Sequence, residues 1–70
     1  PISPTQKIQG AIDHLDLLIK LKGEARAVPE SRAHMDKYTK GLYGAPRIRN
    51  AVNLAESADE IKALLRSLLG

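Results

Sequence analysis

The sequence predicts an all-α protein, a small four-helix bundle forming one domain over residues 1–70. Three observations predict it. Aliphatic residues recur at i, i+3, i+4 and i+7 in separate short segments, the spacing of one helical face. No run alternates apolar and polar residues for long enough to demand a strand. Glycine, proline and serine fall between the segments, where helices stop and start.

The first helix opens at Ser3, a good N-cap, with Pro4 at the first helical position. Ile8, Ala11, Ile12, Leu15, Leu18 and Ile19 form one stripe about 120° wide at 100° per residue. Gln9, Asp13, Asp16 and Lys20 lie opposite, and Gly23 is the stop. Leu17 and Leu21 fall off the stripe, in line with Gly10 and His14. Either a third helix covers them or they form a docking surface for another domain or subunit.

"EARAVPES" reads as a connector, with Pro29 opening the second helix. That helix should run to about Lys40, with Met35, Tyr38 and Leu42 turned inward. "GLYGAP" breaks it, and Pro46 opens a third helix that buries Ile48, Ala51, Val52 and Ala55. "SADE" is a capping box: Ser57 should accept from the backbone three residues on, and Glu60 should reach back. Ile61, Leu64, Leu65, Leu68 and Leu69 then form the stripe of the fourth helix, with Gly70 beyond it.

Composition narrows the class. A chain of 70 residues buries only about 60% of the surface its unfolded form exposes. It has no cysteine, no Phe and no Trp. Disulfides and thiolate metal sites are therefore excluded, and His14 and His34 alone make no metal site. Aliphatic packing on this scale supplies roughly 3–5 kcal/mol, which points to an excised domain or an oligomer. No segment approaches the ~20 apolar residues of a membrane span. "PISPTQKIQG" lacks the apolar core of a signal peptide. With the missing cysteines, these features imply a cytoplasmic location.

Catalysis finds little support. Ser3, Ser31, Ser57 and Ser67 have no base at local spacing, and at least two serve as helix punctuation. Asp13 and Asp16 flank His14 in sequence but point away from it on a helix. Gly41 and Gly44 lack the strand-to-helix context of a phosphate loop. No catalytic residue is expected.

Charge is the informative feature. Of eleven cationic residues, Lys37, Lys40, Arg47 and Arg49 lie within residues 37–55, where none of the eight acids falls. Both tyrosines, Tyr38 and Tyr43, lie in the same stretch. Arg47 and Arg49 stand near a helix start, where positive charge costs roughly 0.3–1 kcal/mol each. Free N–H groups at such an end attract anions. Tyr43 in the turn could offer its ring to a base, whereas Tyr38 has the spacing of a core residue. Three readings are open: a solvated basic face, a nucleic-acid grip, or a surface for an acidic protein.

The order of motifs adds a resemblance. Arg32 and His34, Tyr38, Lys40-Gly41, Gly44-Ala45, Ile48-Arg49, Asn53 and Ala55-Glu56-Ser57 stand in series. An amphipathic helix follows them, and "HLDLLIKLKGE" precedes them. Together they resemble the C-terminal helical domain of bacterial tRNA-dihydrouridine synthases, in particular the B-type branch. The chain departs from that pattern at Ala33, where the family often has lysine. It departs again at Tyr43 and Pro46, in the turn.

The resemblance implies a parent enzyme whose N-terminal barrel binds FMN, takes hydride from NADPH and carries a catalytic cysteine. That barrel is missing from this chain, and no cofactor is expected on it. The implied partners are tRNA and the missing barrel, with no membrane and no metal. Arg32, His34, Lys37, Lys40, Tyr43, Arg47 and Arg49 become the expected RNA-binding residues. Arg32 and His34 alternatively face the domain junction, and His34 alternatively packs inside or caps a helix. Leu17 and Leu21 become the interdomain docking surface. The rival expectation is a stand-alone helical adaptor or self-associating module.

Overall fold

In the computed structural model, which describes residues 3–69, four helices form the expected bundle. They are α1 (Pro4–Lys22), α2 (Glu24–Thr39), α3 (Ala45–Leu54) and α4 (Ala58–Ser67). Gly70 lies outside the described residues. The long helices α1 and α2 form an antiparallel hairpin, and the shorter α3 and α4 close over it. Among the described residues, α3 does not meet α1.

The core is aliphatic, as the composition requires. Ile8, Leu15, Met35, Val52, Ile61 and Leu65 are fully buried where the helices converge. Leu18, Ile19, Leu42, Leu64, Leu68 and Tyr38 pack around them partly buried. Two polar side chains enter this core, Ser31 and Thr39. Each satisfies itself on its own helix: Ser31 Oγ donates to the Val28 carbonyl at 2.8 Å and Thr39 Oγ1 to the Met35 carbonyl at 2.7 Å. No buried hydroxyl is thus left to cost the penalty of an unmade hydrogen bond.

Several expectations need correction. Residues 24–31 are not a connector. Only Gly23, with φ +84°, separates α1 from α2, and Pro29 lies inside α2. An interior proline removes one ladder bond and crowds the carbonyl four residues back. Here that carbonyl belongs to Ala25, which is exposed, so water can satisfy it. Continuing the helix buries Ala27 and Val28, which a loop would not do.

No third helix covers Leu17 and Leu21, which remain 52% and 67% exposed. Ala51 is only half-buried, and Leu69 is exposed beyond the end of α4. The capping signals also fall differently. Ser57 Oγ accepts from the Glu60 amide at 3.2 Å, but the return bond is not made. The reciprocal box sits on α1, where Ser3 Oγ accepts from the Gln6 amide and Gln6 Oε1 from the Ser3 amide.

Gly10 on α1 faces the Tyr38 ring of α2. A β-carbon there would lie 3.4 Å from Tyr38 Cε1. The tyrosine ring lies over this gap, and its hydroxyl meets His14 Nδ1 at 3.2 Å. At the other end of the hairpin, Lys22 Nζ lies 2.7 Å from Glu30 Oε1. The hydrogen bond from Lys22 holds the Glu30 carboxyl below the usual carboxylate range; desolvation opposes this, and the nearby positive charges reinforce it.

Two outcomes follow. Gly10→Val should force the Tyr38 ring off α1 and cost about 1–3 kcal/mol in urea unfolding, the range for overpacking. A parent-like midpoint would show that the gap is loose. The depressed Glu30 pKa makes its ion pair stabilising above the ordinary carboxylate range, with the benefit lost as pH falls through the lowered value. The melting difference between the parent and Lys22→Ala should therefore be present near neutral pH and shrink as acid protonates Glu30. A difference unchanged by acid would remove the pair from the account of stability.

Candidate nucleic-acid interface

The basic stretch folds as the end of α2, a tight turn and the start of α3. Lys37 is in the last turn of α2, where a cation complements the negative end of the helix. The Lys40 amide bonds the Asp36 carbonyl at 3.1 Å and closes the helix. Gly41 and Gly44 both take positive φ, +84° and +81°, which a side chain would strain. Gly44 in the left-handed region then starts α3 with no side-chain cap.

At the α3 start the backbone leaves almost no N–H group free for an anion. Pro46 has none. The Ala45 amide bonds the Leu42 carbonyl at 3.1 Å, and the Ile48 amide bonds the Gly44 carbonyl at 3.2 Å. Of the first four positions only the Arg47 N–H is left without a backbone partner, so the helix end itself offers little to an anion. The side chains must carry the attraction.

Those side chains divide into two groups. Lys37, Lys40, Tyr43 and Arg47 are exposed, Tyr43 fully so. Among the described residues, none of these three cations has a carboxylate within ion-pair distance. Tyr43 and Arg47 border a shallow depression with Ser67 and Leu68 at the end of α4. The second group is engaged. Arg49 Nε lies 2.8 Å from Asp36 Oδ1. Two residues apart on a helix means about 200° of rotation, so Arg47 and Arg49 face different sides. The four cations of the stretch do not form one surface.

Arg32 and His34 have their own surroundings. An Arg32 terminal nitrogen donates to the Ala55 carbonyl at 2.7 Å, where α3 ends. From the same helix, Glu24 Oε2 accepts the Ala58 amide at 3.1 Å, where α4 begins. Cation and anion thus each meet the helix end they complement. His34 is half-buried against His14, with ring centroids 4.5 Å apart and planes tilted by 44°.

Sequence reasoning missed Lys7 and Asp36. Lys7 Nζ reaches across from α1 to the Lys40 carbonyl at 3.3 Å, which brings a further cation to the turn. Nothing local signals a contact 33 residues distant. Asp36 was legible in principle, as the acid immediately before the acid-free stretch. Between α2 and α3 it lines a polar groove of about 340 Å³ with Arg32, Arg49, Asn50 and Asn53.

No helix among the described residues is long and apolar enough to cross a membrane. Among the described residues, no group of three or more His, Asp or Glu side chains could hold a metal ion. No family model matches the chain.

Arg32→Ala should lower stability by about 1–3 kcal/mol, the cost of losing a charged hydrogen bond to a part-buried carbonyl. Urea unfolding read by circular dichroism measures it, and Arg32→Lys should recover only part of the loss. An Arg32→Ala protein with the parent midpoint would show that the α3–α4 corner does not depend on this contact.

Proposed function

We propose that this chain is an RNA-binding helical domain of a B-type tRNA-dihydrouridine synthase, positioning tRNA for reduction of a uridine by a separate barrel domain. The observation that carries the reading is Tyr43. It stands fully exposed on a glycine-hinged turn between Lys40 and Arg47, two cations without a carboxylate partner among the described residues. An aromatic ring in water between cations suits a stacked base flanked by phosphates. Lys37 and Lys7 extend the positive surface, and the order of motifs from Arg32 to Ser57 supports the same family.

FMN and NADPH belong to the parent enzyme in this reading. The chain has no cysteine, the residue type that in this family protonates the uracil ring, so the reduction is left to the barrel. No chemical step is assigned to this domain. Leu17 and Leu21, exposed on α1, serve as the docking face toward the barrel, and the whole enzyme works in the cytoplasm on tRNA.

Filter binding or gel shift with bulk tRNA over a salt series tests the proposal. Three or four phosphate contacts predict a slope of log K against log salt of about −2 to −4. Arg47→Ala should weaken binding at every salt concentration and reduce the slope magnitude by about one. Tyr43→Ala should cost about 1–3 kcal/mol with the slope unchanged, because stacking releases no counterion. A chain that ignores tRNA at low salt and elutes as a salt-insensitive dimer would instead support the adaptor reading.

A further inference from the structure

The polar groove between α2 and α3 has a composition that one side chain contradicts. Arg32, Arg49, Asn50 and Asn53 all bring N–H donors to it, and Asp36 is its one carboxylate. Asp36 does not close the α2–α3 contact from inside, because its side chain is 77% exposed. Arg49 Nε lies 2.8 Å from Asp36 Oδ1 as an ion pair, and no guanidinium hydrogen bond of good geometry joins the two side chains. A guanidinium has five N–H donors, so most of the Arg49 donors are left over. Arg32 adds a second unfulfilled group: its Nε is buried and has no partner, although a terminal nitrogen is committed to the Ala55 carbonyl.

Resting on the RNA-binding reading above, we propose that this groove receives one phosphodiester, held by Arg49, and that Asp36 is the internal carboxylate this phosphate displaces. A carboxylate and a phosphodiester offer the same thing to a guanidinium, two anionic oxygens in one plane. An exposed pair of this kind is weak and exchanges readily. The carboxylate keeps Arg49 oriented along the groove in the free protein. It also taxes binding, since any incoming anion must compete with it.

The tax has a use. A lone phosphate must win the whole exchange by itself. A phosphate on a strand held at Lys40, Tyr43 and Arg47, and long enough to pass around α3 to its Arg49 side, arrives at a higher effective concentration than free phosphate. The groove therefore discriminates a polyanion in the right register from free anions. Asn50 and Asn53 on the exposed side of α3 can donate to the same nucleotide through their carboxamides.

Asp36→Asn removes the charge, keeps the shape and leaves the backbone carbonyl that accepts from Lys40 in place. It should raise tRNA affinity at low salt by up to roughly fivefold, the scale of one exposed ion pair. Arg49→Ala should lower affinity, and in the Arg49→Ala background Asp36→Asn should change nothing. Arg49→Lys keeps the charge without the planar fork and should recover only part of the loss. A second readout needs no RNA: the Arg49 Nε–H resonance followed by NMR as inorganic phosphate is added. It should shift in the Asp36→Asn protein at lower phosphate than in the parent.

An Asp36→Asn gain that persists without Arg49 would overturn the proposal, because Asp36 would then act only through net charge. So would an Arg49 signal indifferent to phosphate in both proteins, even with Arg47-dependent tRNA binding intact. If no form of the protein binds tRNA while the Arg49 signal still answers phosphate in the expected order, the RNA reading falls and the displaceable anion site stands.

Discussion

The fold depends on α2 holding both ends of the corner between α3 and α4. Arg32 donates to the last carbonyl region of α3 and Glu24 accepts from the first amide of α4. The two side chains are eight residues apart, about 12 Å along a helix axis. That spacing exists only if the backbone between them is helical. A loop over residues 24–29 would place Glu24 nowhere in particular, and the α4 start would lose a partner. The interior Pro29 is tolerated under this constraint. The proline forfeits one bond on the wet side, while continuity secures two helix ends and buries Ala27 and Val28.

With the α3–α4 corner fixed from one side, the α2–α3 turn is left on display. Its backbone closes on itself through the Leu42 and Ala45 contacts, and its glycines take conformations that need no support from other helices. Tyr43 consequently projects into water without destabilising the core, which is built from Leu42, Ile48 and Leu68 nearby. The same rotation that buries Ile48 sends Arg47 and Arg49 to opposite sides. Helical geometry, not charge alone, therefore splits the basic stretch into an open group and a group paired in the groove.

The sequence was most legible where a helix meets the core along its whole length. The stripes of α1 and α4 are read from periodicity alone, because burial of every third or fourth residue leaves no other pattern. Ser3, Pro46 and Ser57 are local signals and behave locally. What escaped reading is long-range. The proline in α2 looks like a start until the burial of Ala27 and Val28 is known. The Glu60 side chain has the right spacing for a box, yet a partner 34 residues away already serves the α4 start. Arg32 carries no mark that distinguishes a cation bound for a carbonyl from one bound for solvent. The resemblance to a tRNA-modifying family supplied a function but not this division of labour among the arginines.

That division bears on why the free cations stand where they do. Elsewhere in the chain three cations are committed to structure, Lys22 to Glu30, Lys62 to Asp16 and Arg32 to a helix end, whereas Lys20, Arg26 and Arg66 have no carboxylate within ion-pair distance among the described residues. Its helix starts are similarly provided for. Serines cap α1 and α4, and α2 has Glu24 in its first turn. Only α3 starts with neither a side-chain cap nor an acid, and it has Arg47 instead. Glycine at the N-cap costs only a few tenths of a kcal/mol relative to Ser or Asp, and a cation at a helix start costs roughly 0.3–1 kcal/mol. Gly44 is itself required by its positive φ, so the departure from what folding alone favours lies at Arg47, where Glu would suit the helix start better. An anion arriving beside Tyr43 would therefore meet the Arg47 side chain rather than a row of free helix N–H groups, and neutralising that cation at the helix start is the stability it would restore.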